Sequence, residues 1–224
     1  MIRAVLFDMD GTVLDTERVY YPAWHRAAEE TGYRGDIDAD LLAFSGRNTA
    51  GFYEYYRSVW GDSYDPTEMR AVRERIVAEA LEKEGIHPRP GVVGALEELR
   101  RMGILCALAT SSFRSRAEEY LTRAGLRESF DYVQTGDEVR EGKPHPEIFL
   151  SCAEALGVPI DECVVAEDSH NGVRAGYASG ARTVMVPDMQ PCTPEIEAML
   201  WKRLDSLAEL PAAIRAENEK QKRK

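Results

Sequence analysis

The sequence predicts a doubly wound α/β fold, a parallel Rossmann-like sheet with helices on both faces, carrying an inserted α-helical cap. Three observations lead to this fold class. Five short apolar runs are nearly continuous rather than alternating, as are strands that are buried on both faces of a parallel sheet. Segments with helical spacing separate the later runs, and a long helical stretch follows the first run. A chain of 224 residues is long enough for one such domain with an insertion.

The apolar runs are the predicted strands of the sheet. They cover 4–8, 105–110, 132–136, 163–168 and 182–186. Between the later runs, each helical segment ends in a glycine followed by an apolar residue, which is the sequence form of a Schellman stop. The four pairs are Gly103-Ile104, Gly125-Leu126, Gly157-Val158 and Gly180-Ala181. The repeated order of helix, stop and strand predicts right-handed crossovers between parallel strands.

The stretch after the first strand contains no comparable apolar run. Its apolar and aromatic residues recur at helical spacing, which predicts core-forming helices at 17–31, 48–60 and 67–84. We therefore expect residues 16–85 to form a helical cap and residues 1–15 and 86–224 to form the α/β core. Because the cap follows the carboxyl end of a strand, it should overhang the sheet edge where α/β proteins bind ligands.

The composition argues against several classes of function. With 28 Lys and Arg against 39 Asp and Glu, the formal charge is −11, and such a surface repels nucleic-acid backbones. No apolar run approaches the ~18 residues that a membrane span needs. Asp8 arrives too early for a signal peptide, and none of the four cysteines has metal-ligand or redox-motif spacing. We expect a cytoplasmic protein without nucleic-acid or membrane partners; the oligomeric state is not predicted, and a monomer is compatible with the sequence.

Polar residues follow three of the predicted strands. Asp8 and Asp10 follow the first strand, Thr110 to Ser112 end the second, and Glu167-Asp168 ends the fourth. Lys143 lies between the third and fourth strands. Because the carboxyl ends of parallel strands meet at one edge of a sheet, we expect these side chains to share one pocket.

The acidic residues in this set indicate a metal site. Asp8 and Asp10 are two residues apart, so extended backbone directs both side chains to the same side. Two carboxylates this close need a cation or a shared proton between them. Oxygen ligands without His or Cys suit Mg²⁺ better than Zn²⁺ or copper. An aspartate pair that only caps the next helix is the alternative for an isolated motif, but acids at two strand ends with a lysine and a hydroxyl favour a catalytic site.

The same residue types suit phosphoryl transfer. A carboxylate can attack phosphorus and form an aspartyl-phosphate, which divides a difficult hydrolysis into two steps. A metal ion offsets the repulsion between the nucleophile and the phosphoryl oxygens. A second acid can protonate the leaving alkoxide and later activate water. Lysine and hydroxyl donors can hold the equatorial oxygens, where negative charge collects.

Four motifs occur in an order typical of one protein family. They are DMDGTVLDTE from residue 8, ATSS from 109, GKPHPEIF from 142 and EDSHNGVRAG from 167. Over residues 4 to about 187, the chain resembles the haloacid dehalogenase-like superfamily, in the branch with a helical cap inserted after the first motif. Each motif alone is weakly specific, whereas all four in sequence are highly specific. The resemblance implies that Asp8 is the nucleophile and Asp10 the general acid and base.

The resemblance also implies which residues bind the substrate and the metal. Thr110 and Lys143 would bind the phosphoryl group. The implied Mg²⁺ ligands are Asp8, the backbone carbonyl of Asp10, and Asp168, with Glu167 as a further ligand or as support for one. The candidate residues for recognition of the remaining substrate are Gly46, Arg47, Ser111 and Ser112. The expected partner is a small phosphorylated metabolite, and the expected reaction is hydrolysis of a phosphate monoester, most simply a sugar phosphate.

Two alternatives to a phosphatase stay open at this point. The first motif also resembles that of β-phosphoglucomutases, but Tyr20 stands where those mutases have a histidine and Ser45 where they have a cap lysine. Loss of both groups makes it harder to return the phosphoryl group to a sugar, so water is the expected acceptor. A receiver-like phosphorylation switch also combines acids, Mg²⁺ and a lysine. Its acids begin as an adjacent pair, and it lacks a cap, so this alternative is more remote.

Overall fold

The structure is a computed structural model that describes residues 1–223 and contains a parallel sheet. Its strands are β1 (Ala4–Phe7), β2 (Leu105–Thr110), β3 (Tyr132–Thr135), β4 (Cys163–Glu167), β5 (Arg182–Met185) and β6 (Lys202–Arg203). They are ordered β3-β2-β1-β4-β5-β6, and each neighbouring pair runs parallel. The predicted doubly wound α/β class is therefore confirmed.

The five predicted runs are the first five strands. The predicted bounds are identical for β2 and one residue too long at the carboxyl end for the other four. The edge strand β6 was not predicted. Its two residues, Lys202 and Arg203, are both exposed, so this strand has no apolar run to reveal it.

Ten α-helices surround the sheet in the described part of the chain. They are α1 (Glu17–Glu30), α2 (Ile37–Phe44), α3 (Thr49–Trp60), α4 (Thr67–Glu84), α5 (Val92–Arg101), α6 (Arg114–Arg123), α7 (Glu147–Leu156), α8 (His170–Ser179), α9 (Pro194–Glu197) and α10 (Leu210–Lys222). The three helices predicted between residues 16 and 85 correspond to α1, α3 and α4 within one residue. Helix α2 was missed, because it is only eight residues long and only Asp40 and Phe44 are buried, so its stripe of Ile37, Leu41 and Phe44 spans about two turns.

Alternation along the strands divides the core into two layers. In β1, Val5 and Phe7 pack into the larger cluster with α5 and α6, whereas Ala4 and Leu6 pack against α7 on the opposite face. All four side chains are fully buried. Helices therefore cover both faces of the sheet, and they leave the carboxyl ends of the strands as the open edge.

The predicted helix stops are found in three of the four places. The amides of Ile104, Leu126 and Val158 donate to the carbonyl oxygens five residues earlier, as in a Schellman motif. At the fourth position Gly180 has a positive φ, but the amide of Ala181 donates to the Ser179 hydroxyl at 3.2 Å. A side chain thus replaces the helix carbonyl as the acceptor, and the Schellman prediction is wrong for this stop.

The helices of residues 17–84 have an aromatic cluster of their own. Of the aromatic residues predicted to be core residues by their helical spacing, Phe52 and Tyr56 are buried in it, whereas Tyr55 and Trp60 are partly buried against it. Helices α1 and α4 also contribute Val19, Tyr20, Ile76, Val77 and Leu81 to the larger cluster under the sheet. The division into a cap of 16–85 and a core of 1–15 and 86–224 stays a prediction. No helix within residues 1–223 has both the length and the apolar composition to cross a bilayer.

Candidate active site

A cavity of about 160 Å³ opens at the carboxyl edge of the sheet, beneath the helices of residues 17–84. From the strand side it is lined by Asp8, Asp10, Thr110 and Asp168, and from the helical side by residues that include Gly46 and Arg47. The parallel topology thus brings the ends of β1, β2 and β4 together, as the sequence predicts. The cavity is small for a ligand site, which suits a small metabolite.

Three carboxylates form a buried acidic cluster at this edge, and we refer to Asp8, Glu167 and Asp168 by that name. One ligand oxygen from each lies within 4.8 Å of the others. The exposed fractions are 7%, 0% and 5%. Burial raises the pKa of Asp8 and of Asp168 well above the ordinary value, and the charge of Glu167 adds to this at both residues, although Lys143 opposes it at Asp8.

Lys143 is the cation inside this cluster. Its Nζ donates to Asp8 Oδ1 at 2.5 Å, to Glu167 Oε1 at 2.6 Å and to the Ala109 carbonyl oxygen at 3.0 Å. Burial lowers the pKa of Lys143, but the carboxylates of Asp8 and Glu167 more than compensate, so the net change is upward. One lysine against three carboxylates leaves a buried charge of about −2, which is the charge that a divalent cation neutralises.

Glu167 has hydrogen bonds at both of its carboxylate oxygens. Oε1 accepts from Lys143, and Oε2 accepts from the amides of Asp168 and Ser169 and from the Ser169 hydroxyl, at 3.0–3.1 Å. Gly172, in the first turn of α8, provides room for this carboxylate, since a Cβ there would overlap it. Glu167 is therefore held as an anchor of Lys143 and of the loop that bears Asp168.

The other two members of the cluster each keep an oxygen without a hydrogen bond. Thr12 donates to Asp168 Oδ1 at 2.9 Å, and Lys143 donates to Asp8 Oδ1. Within residues 1–223, Oδ2 of Asp8 and Oδ2 of Asp168 have no donor. Both residues line the cavity, so two free carboxylate oxygens are available at its floor. Gly11, which has a positive φ, keeps this space open because a Cβ there would overlap Asp168 Oδ2.

Asp10 lies in the cavity wall beside the acidic cluster. Its Oδ1 accepts from the Thr16 hydroxyl at 2.8 Å, and its Oδ2 accepts from the Ser112 hydroxyl at 3.1 Å. The prediction that Asp8 and Asp10 face the same pocket is consistent with this position. The two hydroxyl groups hold the Asp10 carboxyl group in place without neutralising it.

The loop after β2 contributes hydroxyl groups to the cavity wall. Thr110 is buried, and its Oγ1 accepts from the Ser112 amide at 3.1 Å, which leaves the hydroxyl hydrogen free to donate. Ser111 donates to the Gly46 carbonyl oxygen at 2.6 Å. Thus Ser112 orients Asp10 and Ser111 binds the helical insertion, and both residues also line the cavity.

Residues 45–48, which we refer to as the cap loop, close the cavity from the helical side. Gly46 has a positive φ and fits against Ser169, whose hydroxyl a Cβ would overlap. The Asn171 side-chain amide donates to the carbonyl oxygens of Ala43 and Ser45 at 3.1 and 2.8 Å. Arg47 lines the cavity, and its buried Nε has no hydrogen-bond partner within residues 1–223.

Sequence reasoning missed four charged residues in the cavity wall: Glu17, Arg70, Arg73 and Arg116. Glu17 is the last residue of the first motif, and this position was the available signal for it. Burial, with the charges of Asp10 and Asp188, raises the pKa of Glu17 to about 8. Arg70 and Arg73 are three residues apart and share one face of α4, but nothing in the sequence indicates which face is turned to the cavity.

The three histidines nearest the motifs are engaged elsewhere. His25 contacts Asp38 at 3.0 Å, His145 contacts Glu141 at 2.8 Å, and the His170 ring contacts the Pro191 carbonyl oxygen at 2.8 Å. None of them lines the cavity.

Comparison with known proteins gives a consistent match over most of the chain. A family model described as haloacid dehalogenase-like hydrolase matches residues 2–180. The chain is 36% identical over 187 residues to the phosphorylated carbohydrates phosphatase of Thermotoga maritima, which covers 82% of this chain and 84% of the relative. It is 34% identical over 224 residues to hexitol phosphatase B of Escherichia coli K12, which covers 94% of this chain and 95% of the relative.

A solved structure is similar in fold over nearly the full length. The crystal structure of CbbY from Rhodobacter sphaeroides in complex with phosphate superimposes with a TM-score of 0.75 at 26% identity. The superposition covers 94% of this chain and 96% of that chain. The overall fold therefore has a counterpart in a known protein.

Proposed function

The chain belongs to the haloacid dehalogenase-like hydrolase family, and on that premise we propose that it is a Mg²⁺-dependent phosphatase of a small phosphate monoester. The proposal rests mainly on the position of the Asp8 carboxylate. Asp8 has one carboxylate oxygen fixed by Lys143 and the other free at the floor of a small cavity. A carboxylate held in this way is oriented for attack on a phosphoryl group bound above it.

The acidic cluster supports the metal in this proposal. Asp168 has an unused oxygen, and together with Asp8 Oδ1 and the Asp10 backbone carbonyl it would hold the ion, which leaves Asp8 Oδ2 free as the nucleophile. Glu167 would support them from behind, because both of its oxygens already accept hydrogen bonds. When bound, Mg²⁺ would supply the positive charge that reduces repulsion between the nucleophile and the phosphoryl oxygens.

Asp8 and Asp10 divide the chemistry between them. Asp8 Oδ2 attacks phosphorus, the bond from phosphorus to the ester oxygen breaks, and Asp10 donates a proton to the leaving alkoxide. Asp10, now a carboxylate, then removes a proton from a water molecule that attacks the aspartyl-phosphate. The acyl-phosphate P–O bond breaks, which releases inorganic phosphate and regenerates Asp8. The hydroxyls of Thr16 and Ser112 hold Asp10 in place for both proton transfers.

Thr110 would donate a hydrogen bond to the transferred phosphoryl oxygens, and Lys143, whose three N–H groups are donated to Asp8, Glu167 and Ala109, would add its positive charge beside them. The Thr110 hydroxyl hydrogen is free to donate, since its oxygen already accepts from the Ser112 amide. Lys143 is bound to both Asp8 and Glu167, so it lies next to the position where charge develops. Such preorganised donors stabilise the transition state without reorganisation during the reaction.

The names of two relatives and the size of the cavity support a sugar or polyol phosphate as the substrate. The relatives are a phosphorylated carbohydrates phosphatase and a hexitol phosphatase. The cap loop with Gly46 and Arg47, and Ser111 beneath it, would contact the part of the substrate that is not transferred. The reducing cytoplasm stays the predicted location, and the four free cysteines are compatible with it.

The side chains at the two diagnostic positions favour hydrolysis over a mutase reaction. Tyr20 is buried, with its hydroxyl 3.0 Å from that of Tyr120, and Ser45 lies in the cap loop. Neither offers the cationic group that the resemblance to mutases would require.

The test is a screen of the purified protein with Mg²⁺ against phosphorylated sugars and polyols, with β-glucose 1-phosphate and β-glucose 1,6-bisphosphate included. A phosphatase releases inorganic phosphate from at least one ester. Accumulation of glucose 6-phosphate without phosphate release would instead indicate a mutase. A stable phospho-aspartate formed once, with no turnover, would indicate a receiver-like switch.

A further inference from the structure

Three arginines gather on the helical side of the cavity, opposite its acidic floor. Arg70 and Arg73 come from α4 and Arg116 from α6, and all three line the cavity. We refer to these three residues as the arginine cluster. Because they belong to different helices, the cluster depends on the packing of the helical insertion against the core.

The arginine cluster has fewer acidic partners than positive charges. Arg73 Nη2 lies 3.2 Å from Glu74 Oε1, and Arg116 Nη2 lies 2.6 Å from Glu74 Oε2. Arg70 instead donates to the neutral Thr49 hydroxyl at 2.9 Å. Glu17 also lines the cavity, but within residues 1–223 it forms no ion pair with these arginines. Arg73 and Arg116 therefore share one carboxylate, Glu74, and Arg70 has no ion pair within residues 1–223.

Arg73 is the least satisfied member of the cluster. It is 6% exposed, and its guanidinium group lies over the rings of Tyr20 and Trp24, 5.0 and 4.5 Å from their centroids. Its buried Nε has no hydrogen-bond partner within residues 1–223. A buried donor without an acceptor is unfavourable unless a ligand supplies one.

The charges around Arg73 also indicate that the arginine cluster favours an anionic ligand. Burial lowers the pKa of Arg73, and the positive charges of Arg116 and Arg70 add to this against the opposing charge of Glu74. The mutual repulsion of the three groups would be relieved by an anion between them. Guanidinium groups bind carboxylate and phosphate oxygens through paired hydrogen bonds, which gives both strength and orientation.

We propose that the arginine cluster binds a second anionic group of the substrate, so that the preferred substrates are phosphate monoesters that also carry a carboxylate or another phosphate. This inference rests on the proposed phosphatase function and specifies its substrate class. The transferred phosphoryl group lies at the floor near Asp8, and the second anion lies under α4. The two oppositely charged sides of the cavity fix the direction in which the substrate binds.

Matched esters test the proposal with the wild-type protein and Mg²⁺. Sorbitol 6-phosphate is the singly substituted reference, 6-phosphogluconate replaces its C1 hydroxymethyl group by a carboxylate, and sorbitol 1,6-bisphosphate adds a phosphate there. Glycerol 3-phosphate and 3-phosphoglycerate form a shorter pair. We expect kcat/KM at least tenfold higher for one doubly anionic class, and the preferred compound identifies carboxylate or phosphate as the ligand. If the kcat/KM values of the doubly anionic ester and its reference differ by less than twofold in every pair, the proposal is overturned.

Variants attribute the preference to the cluster. The preference is the kcat/KM of the preferred doubly anionic ester divided by the kcat/KM of its singly anionic reference. Arg73→Gln and Arg70→Gln should each lower this preference at least tenfold, mainly by raising the KM of the doubly anionic ester. Arg75→Gln is the matched control on α4, because Arg75 is exposed and pairs with Glu30 and Glu79, and it should preserve the ratio. Arg70 is only partly buried, so its variant supplies the test if Arg73→Gln does not fold. An unchanged ratio with equal losses on both esters would mean a structural role and overturn the proposal.

The outcome separates this inference from the proposed function. If no ester in the set, nor any in the screen of phosphorylated sugars and polyols, releases phosphate, the phosphatase proposal itself fails. If singly anionic esters release phosphate and a second charge gives no advantage, only the role of the arginine cluster fails.

Discussion

At the scale of single residues, Asp8 combines one fixed oxygen with one free oxygen. Lys143 holds Oδ1 at 2.5 Å, and Oδ2 is free at the cavity floor. Asp10, by contrast, has both oxygens engaged by neutral hydroxyl groups. The two aspartates of one motif therefore have different surroundings, and this difference supports the proposal that they have different roles, nucleophile and proton donor.

Asp8→Asn should abolish turnover and leave the fold intact. Asparagine keeps the size of the side chain and removes the nucleophilic oxygen, so we expect kcat to fall on the order of 10³-fold or more, as when other nucleophiles are removed. Phosphate release measures the loss, and thermal unfolding checks the fold. Asp15→Asn is the control, since Asp15 forms a surface ion pair with Arg18 at 3.2 Å. Near wild-type activity in Asp8→Asn would remove Asp8 from the nucleophilic role.

Asp10→Asn should lose more rate with poor leaving groups than with good ones. An alkoxide needs a proton from Asp10 as it leaves, whereas 4-nitrophenolate does not. General acid catalysis typically contributes 10²–10⁴-fold, so we expect a loss of about that size for alkyl phosphates and a smaller loss for 4-nitrophenyl phosphate. Initial rates on both esters provide the comparison. Equal losses would show that Asp10 is not the proton donor.

Glu17 should make the stability of the metal-free protein depend on pH. Its folded-state pKa of about 8 lies above the ordinary value of 4.5, so the folded state binds a proton more tightly than the unfolded state does. The resulting stabilisation is complete below about pH 4.5 and is lost as the pH rises through 8.

Glu17→Gln should remove this dependence. Wild type loses the Glu17 stabilisation between pH 5 and pH 9, and the variant does not. The free energy of unfolding of the variant minus that of wild type should therefore rise by at least about 1 kcal/mol over this range, since one pKa unit corresponds to about 1.4 kcal/mol. Urea unfolding in the presence of a chelator at both pH values measures it. Glu29→Gln, at an exposed position of the same helix, is the control. A difference that does not change with pH would contradict the raised pKa.

At the scale of elements, buried periodic segments were predictable and short or exposed ones were not. The run 105–110 predicted β2 to the residue, because burial on both faces requires an unbroken apolar run. The two exposed residues of β6 and the short helix α2, in which only two residues are buried, offer no such constraint. At Gly180 the stop is formed with a side-chain acceptor, Ser179, and this local competition is not encoded in the glycine pattern.

The first turn of α8 contains a glycine, Gly172, that makes room for a carboxylate of the candidate active site. A Cβ at Gly172 would overlap the Glu167 carboxyl group, which anchors Lys143 and the loop of Asp168. Gly172→Ala should therefore displace the acidic cluster and lower both activity and Mg²⁺ affinity, the latter measured by calorimetry. We expect a loss of about tenfold or more in affinity, as for other residues that support metal ligands.

Gly94→Ala in α5 is the matched control. A Cβ at Gly94 meets no atom within 4 Å, so alanine should stabilise the helix by about 0.5–1 kcal/mol and leave Mg²⁺ affinity unchanged. If Gly172→Ala bound Mg²⁺ with the affinity of wild type, the close packing of α8 against Glu167 would not be needed for Mg²⁺ binding.

At the scale of the whole molecule, the site is assembled from segments that are distant along the chain. Convergence of the strand ends was predictable, because parallel topology alone brings residues 8, 110 and 168 to one edge. The arginine cluster was not predictable, because it depends on how α4 and α6 approach each other in space. Nor could the sequence predict that Ser111 and Asn171 would bind the backbone of residues 43–46.

Binding of Mg²⁺ should stabilise the whole molecule as well as enable catalysis. The acidic cluster holds three carboxylates against Lys143 alone, so the metal-free fold confines about two excess negative charges. An ion that binds only the folded state at 100 times its Kd adds about 2.7 kcal/mol. For a protein of this size that corresponds to a rise in Tm of roughly 5–10 °C.

Thermal unfolding with EDTA and with Mg²⁺, beside phosphate release in the same buffers, tests this directly. We expect EDTA to stop turnover and lower the Tm, and excess Mg²⁺ to restore both, whereas Na⁺ at equal ionic strength restores neither. Asp168→Asn removes one of the two free oxygens at the cavity floor, so its Tm should respond much less to Mg²⁺. Full activity in EDTA, or an equal Tm response in Asp168→Asn, would mean that the acidic cluster is stabilised by Lys143 alone and does not bind a metal.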